Sequence, residues 1–323
     1  MPRTKIVRLV QLLATILIFI YLFGRVDVFG ALAKIKDGNF RYLALGTAIL
    51  ALQPIVGAFR WSAVLYALHN QFYTSKVLRW NYVGVFFGQA LPAMVGADAI
   101  RIWLAGRDEV GWHDSIVSVL IDRIAMLIIL AVLLLFGLPQ IGDMLSVPWA
   151  GWLVPLFLVG GIAGVVALFF VNHIPEHLDK HRLVRAVRYL SEGTRRLVLQ
   201  PMALALTTVL CILSYLGLMA SVYLYTQAFG ASSDPLHVLV LLPPVLLASM
   251  LPVSLGGWGT RELAMVAALG LVGISADTAL LTSVWLGISS ILIALPGMVF
   301  FLVQRIDLRR AQSVDILAET EGD

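Results

Sequence analysis

Leu91-Pro92-Ala93-Met94-Val95-Gly96-Ala97-Asp98-Ala99-Ile100-Arg101 and Leu251-Pro252-Val253-Ser254-Leu255-Gly256-Gly257-Trp258-Gly259-Thr260-Arg261 are two copies of one pattern, 160 positions apart. Leu, Pro, Gly and Arg fall at the same four offsets in both. Each copy interrupts an apolar stretch with helix-breaking residues and then places an arginine at, or at the edge of, membrane depth. Paired interruptions in the two halves of a membrane protein are the best pointer in a sequence to a transport site.

The surrounding composition sets the environment of these breaks. Apolar residues make up 60% of the 323, and charged residues only 13%, about half of the roughly 25% usual in soluble domains. Several apolar runs approach the roughly 20 residues a helix needs to cross about 30 Å of hydrocarbon. The reading is an all-α, polytopic helical membrane protein. Full spans are expected at 6–24, 42–66, 115–137, 152–171, 202–228 and 278–302. The first run follows Arg3, Lys5 and Arg8 like a signal peptide, but it is long for one and lacks a small-residue cleavage site. It reads as a retained span. Cys211 is the single cysteine, so an intramolecular disulfide is excluded. The net charge of +4 suits anionic headgroups, and no basic soluble domain is seen that would hold nucleic acid.

Stretches 80–104 and 237–270 carry the breaks, and loop charge decides how they run. If 80–104 crossed fully from a cytoplasmic N-terminus, the loop holding Lys180, Arg182, Arg185, Arg188, Arg195 and Arg196 would lie outside. A re-entrant hairpin instead keeps Lys76, Arg79, Arg107 and those six in the cytoplasm, and leaves the loops around 138–151 and 229–236, without lysine or arginine, outside. A second hairpin entering from outside returns Arg305, Arg309 and Arg310 to the cytoplasm. Residues 25–41, with Arg25, Lys34, Lys36 and Arg41, run against the rule. Both termini are then cytoplasmic, in the cell (inner or plasma) membrane. Three spans separate the hairpins, so they enter from opposite faces and form an inverted repeat with halves at about 42–137 and 202–302. Val110-Gly111 and Val272-Gly273, each leading into a long helix, extend the repeat.

Backbone at Pro92, Gly96, Pro252, Gly256, Gly257 and Gly259 cannot face lipid unpaired, so these breaks should line protein or water. The helices that follow are expected to start near Asp98 and Thr260, presenting free amides and a positive dipole end to a cavity. Arg101 and Arg261 fall in the first turn, and amides, dipole and guanidinium together suit an anion such as a phosphate headgroup. On the plainer alternative, Asp98 and Thr260 cap their helices and the arginines snorkel. Asp122 and Arg123 lie inside a span, where charges rarely face lipid. Neighbours on one helix point about 100° apart, so each should find a partner elsewhere, Asp122 with Arg101 and Arg123 with Asp98 being candidates. Arg60-Trp61 suits either an interfacial anchor or a headgroup contact. Glu262 has three open roles: pairing Arg261, accepting a proton, or favouring the helix N-terminus. Residues 182–196 read as an amphipathic surface helix, with Leu183, Val184, Val187 and Leu190 on one face and arginines on the other.

No catalytic motif, cofactor signature or metal site stands out. His173, His177 and His181 have helical spacing, but Pro175 interrupts them and no acidic ligand set completes them. There is no P-loop, Rossmann glycine pattern or Ser-His-Asp arrangement.

At these residues the chain resembles the lysylphosphatidylglycerol synthase transmembrane-region family of flippase-like integral membrane proteins. The resemblance rests on Arg60-Trp61, Pro92…Gly96-x-Asp98-x2-Arg101, Asp122-Arg123 and Pro252-x3-Gly256-Gly257-x-Gly259-x-Arg261-Glu262. Ala97 departs from the family's usual second glycine. The best-known members fuse this region to a cytoplasmic aminoacyl-transfer domain. Here about 20 residues follow the last span, so the expectation is one transmembrane domain over 1–323, no synthase domain and no lysyl transfer. The resemblance implies lipid handling, and the first expectation is a translocase moving an anionic phospholipid, glycolipid or polyprenyl-linked lipid between leaflets. Arg101, Arg261, Arg123 and Arg60 would meet the headgroup, and Asp98, Asp122 and Glu262 would gate or neutralise. The alternatives are a non-catalytic partner that presents lipid to a separate transferase, and an intramembrane lipid transferase. Membrane lipids are the expected partners, with a lipid-modifying enzyme as a second candidate. The sequence leaves the oligomeric state open.

Overall fold

The computed structural model describes residues 39–69, 71, 73–90, 95–108, 110–145, 159–160, 182–231, 234–250 and 258–320. The main elements among them are all helices: α1 (Phe40–Ala51), α2 (Gln53–His69), α3 (Thr74–Ala90), α4 (Val95–Gly106), α5 (Trp112–Leu145), α6 (Arg182–Leu199), α7 (Pro201–Ala228), α8 (Pro235–Met250), α9 (Thr260–Gly270) and α10 (Ala276–Thr320). Four stretches are long and apolar enough to cross a membrane: Phe40–His69, Trp112–Gly137, Pro201–Ala228 and Ala276–Val303. They match four of the six expected spans. The other two, 6–24 and 152–171, lie essentially outside the described residues, as do Pro92, Pro252, Gly256, Gly257 and the spaced histidines.

The first of these stretches is two helices bent at Leu52, and the cause is Pro54. A proline has no N–H for the carbonyl four residues back and its ring crowds that turn. Leu52 N–H instead reaches back to Ile49 and Leu50. Pro54's own carbonyl accepts from Asn81 Nδ2 at 2.7 Å, which ties α2 to α3.

The bent α1–α2 span and α7 lie side by side and antiparallel. Asn39 N–H donates to Ala228 O, Thr47 Oγ1 meets Tyr225 OH at 3.1 Å, Arg60 Nη1 donates to Ser214 Oγ, and Gln200 Nε2 donates to Ala67 O. The chain numbers rise on one helix as they fall on the other. Gly46, seated against Tyr225 and Ser221, and Gly217, seated against Gln53, allow the close approach.

Each interrupted stretch is a pair of short helices folded on itself. In the first, Gly84 and Gly88 of α3 pack on Ala97 and Arg101 of α4. The open end is closed by Lys76 Nζ to Asp108 Oδ1 at 3.1 Å. In the second, α8 packs on α9. The segments flanking its open end, 229–231 and 272–275, line one cavity of about 640 Å³. The first hairpin opens beside His69 and Gln200, the second beside Asn39 and Ala228, at opposite ends of the antiparallel pair. With 12 and 11 residues, α4 and α9 rise about 18 Å and 16 Å, well short of a bilayer core.

The two hairpins dock on long spans in the same way. The first arm of each lies on the long span that follows the other hairpin: α8 on α5, with Gly137 against Val240, and α3 on α10, with Gly297 against the Tyr82 carbonyl and Phe86. Gly137 and Gly297 are themselves 160 positions apart. The turns that lead into the two spans also agree, with Gly111 at φ 77° and Gly273 at φ 75°, a left-handed conformation that favours glycine. The main apolar core joins α1, α5, α7, α8, α9 and α10, and a second joins α2, α3, α4 and the start of α5.

α6 is amphipathic as expected in part. Leu190 and Leu197 pack against the bundle with Ser191, Gly193 and Thr194, Gly193 lying against Val117, Ile121 and Leu68, while Val187 is exposed. Small residues let the helix settle close on α2, α5 and α7.

Candidate functional site

Among the described residues, the charged side chains inside the bundle gather into two clusters, one beside each hairpin. In the first, α2 supplies Arg60, α4 supplies Asp98 and Arg101, and α5 supplies Asp122 and Arg123. Asp122 is fully buried and is the hub. Arg60 donates to it from Nε at 2.6 Å and Nη2 at 3.3 Å, and Arg101 from Nη2 at 3.2 Å. Asp98 takes a two-pronged contact from Arg123, 2.7 Å on each oxygen, and a longer one from Arg101 Nη1 at 3.4 Å. Bidentate guanidinium–carboxylate pairs of this kind are the strong charge-assisted ones. Arg101 links the two carboxylates and stacks over Trp61, 4.3 Å from the ring centroid. Trp61 is fixed in turn by Nε1–H to Ser118 Oγ.

Both candidate pairings, Asp122 with Arg101 and Arg123 with Asp98, are present. Arg60 departs from the sequence reading: it is buried and bound to Asp122 and Ser214, not an interfacial anchor. Nor is Arg101 the exposed guanidinium of its half. Its side chain is 4% exposed, whereas Arg123 is 29% and Asp98 17% exposed. Asp98 lies in the fourth position of α4 and spends its carboxylate on arginines.

The second cluster is smaller. α9 begins at Thr260, with Gly259 at φ 93° as its N-cap, so the cap is the glycine and Thr260 is the first helical residue. Glu262 is fully buried and reaches back to the Gly259 N–H. It also accepts from Arg261 Nη2 at 2.7 Å and Nε at 3.2 Å, and from Ser283 Oγ at 3.1 Å. Glu262 therefore takes two of its three open roles at once, pairing Arg261 and serving the helix N-terminus. An amide expected to face the cavity is bonded to it. Arg261, 18% exposed, also donates to the Ser283 Oγ and carbonyl at 3.1 Å and stacks over Trp258 at 5.0 Å.

Two glycines seat the arginines, and the sequence reading passed over both. A Cβ on Gly84 would lie 2.7 Å from Arg101 Cγ, and one on Gly287 would lie 2.6 Å from Arg261 Nη2 and 2.5 Å from the Trp258 ring. Ser283 was also missed, although the 160-residue register places it opposite Arg123. Among the described residues no group of histidine, cysteine or carboxylate side chains forms a metal site.

The model of the lysylphosphatidylglycerol synthase TM region family matches residues 8–297. That interval holds both hairpins and both clusters. The chain belongs to this family. No curated protein and no solved structure matches it. Within the family frame, a membrane lipid-related role and a membrane location follow.

Proposed function

We propose that the protein is a flippase-like lipid translocase, moving an anionic phospholipid, glycolipid or polyprenyl-linked lipid between leaflets as a carrier and not an enzyme. The observation that supports this most is the crossed packing of two arginine-bearing hairpins that open at opposite ends of an antiparallel helix pair. Two elements related by a two-fold axis run antiparallel only when that axis is perpendicular to them. On this reading the hairpins are re-entrant, the repeat is inverted, and the clusters are met from opposite faces, the arrangement alternating access uses.

Arg123 and Arg261, the more open guanidiniums, take the headgroup phosphate, while Asp98 and Glu262 serve as counter-ions that the phosphate displaces in part. Arg60, Asp122 and Arg101 form the scaffold beneath. Lipid tails stay in the bilayer during the exchange. Both termini are cytoplasmic and the membrane is the cell membrane. A headgroup presenter needs a polar entrance on one face alone, and two buried charge clusters are expensive to hold in lipid.

The test is movement of labelled lipid across reconstituted vesicles, read as the fraction reached by an external reducing agent. Protein-dependent loss of the protected pool is expected. Lipid that binds without changing leaflet returns the presenter reading.

A further inference from the structure

On the translocase reading, the headgroup has to suit the charge buried around it. Among the described residues, the charged side chains of the two clusters inside the bundle are four arginines (60, 101, 123, 261) and three carboxylates (98, 122, 262). The second cluster is neutral, because the Glu262 carboxylate meets its own arginine, a hydroxyl and an amide. The first holds three guanidiniums against two carboxylates, an excess of one positive charge.

That excess has a direction. Asp122 is enclosed between Arg60 and Arg101, whereas the Arg123–Asp98 pair is the exposed edge of the cluster. Arg101, shared between the two carboxylates, has a buried Nε without a hydrogen-bond partner. An uncompensated charge at this depth is costly, and a ligand bringing one negative charge relieves it.

We propose that the transported headgroup is a phosphodiester with a single negative charge, bound at the Arg123 edge of the first cluster. A diester keeps one charge at all working pH values, and its oxygens match the guanidinium fork. A phosphomonoester carries between one and two charges near neutrality, and a pyrophosphate carries more, so both overshoot. A neutral glycolipid brings none. A headgroup with an ammonium, including the lysyl ester after which the family is named, sets a cation beside surplus guanidinium.

The test uses the full chain in phosphatidylcholine vesicles with trace labelled lipids. Phosphatidylglycerol should cross at least about tenfold faster than phosphatidylcholine, phosphatidic acid or lysylphosphatidylglycerol, the worth of one charge-assisted hydrogen bond. Arg123→Gln removes the excess and should bring the four rates within about threefold, by the same bond. Asp98→Asn raises the excess to two and should move the preference toward phosphatidic acid. Equal wild-type rates for all headgroups, or an unchanged ranking in Asp98→Asn, would overturn the proposal while leaving translocation intact. If no lipid crosses, the translocase reading fails and retention in detergent decides the headgroup. Phosphatidylglycerol held about tenfold over phosphatidylcholine, again the worth of one such bond, supports the inference; equal retention overturns it. If Arg123→Gln does not fold, the Asp98→Asn ranking decides. Competition by glycerophosphoglycerol, but not by inorganic phosphate, identifies the diester headgroup; equal competition by phosphate marks a general anion site and overturns the proposal.

Discussion

Asp122 is the residue on which the first cluster depends, because two arginines converge on it with no solvent to share them. Removing one partner of a buried ion pair leaves the other uncompensated, at a cost of about 3–5 kcal/mol. Asp122→Asn should therefore lower the thermal midpoint in detergent and reduce the folded yield. The double change Arg60→Met with Asp122→Leu should recover part of the loss. If Asp122→Asn melts like the wild type, the hub role is wrong.

Arg261 tests function more than folding. Its Nε and Nη2 reach Glu262 and both oxygens of Ser283. A lysine keeps the charge but not the fork. Arg261→Lys should remain monodisperse yet lose about tenfold or more in translocation, the worth of at least one charge-assisted bond. Full activity would return Arg261 to a structural anchor. At this scale the sequence named every charged member of both clusters, because ionisable residues inside apolar runs are conspicuous. It did not foresee the partner of Arg60, Asp122, which lies 62 positions away on another helix. It also missed Gly84, Gly287 and Ser283, whose importance is the shape they leave and not a charge they carry.

The helices explain why the rest was legible only in part. Length and apolarity marked four described spans within a few residues; of the break residues, Gly259 is the N-cap of α9, whereas Gly96 lies inside α4. The bend at Leu52 followed from a proline that had not been weighed. The docking face of α6 escaped because its small polar residues look solvent-facing until a neighbouring helix is there to accept them. The hairpins yield an element-scale prediction. Single cysteines at Lys76 and Arg107, which flank the first hairpin, should label from the same side in a Cys211→Ala background, and one at Asp234, beside the second, from the opposite side. Lys76 and Arg107 labelling from different sides would mean that α3 and α4 cross the membrane. The crossed glycines give an independent measurement. A Cβ on Gly297 meets the rigid Tyr82 backbone carbonyl, whereas one on Gly137 first meets a Val240 methyl at 3.1 Å. Forcing backbone to shift is worse than moving a side chain, so Gly297→Ala should destabilise by about 1–3 kcal/mol and Gly137→Ala by less. The reverse order would argue against the α3–α10 packing.

At the scale of the whole molecule the question is why a chain with so few charges keeps seven of them, among the described residues, in two clusters inside the bundle. Each cluster alone would serve as a helix clamp, and well-packed apolar residues do that work as well or better than a buried ion pair. On the translocase reading, two clusters beside hairpins that open at opposite ends serve a polar ligand that passes from one to the other. This has a consequence in the cell. If the protein moves lipid, its loss should leave the lipid made in normal amount but retained on the cytoplasmic leaflet, since synthesis does not depend on it. If it presents lipid to an enzyme, the precursor's leaflet ratio should stay constant while the downstream product disappears. Leaflet-specific chemical labelling of a deletion strain, alongside total lipid extraction, separates the two. A shifted ratio at constant total is expected, restored by the wild-type gene and not by Arg261→Lys. An unchanged ratio for every major anionic lipid and lipid-linked sugar would leave the clusters as clamps and the translocase reading without support.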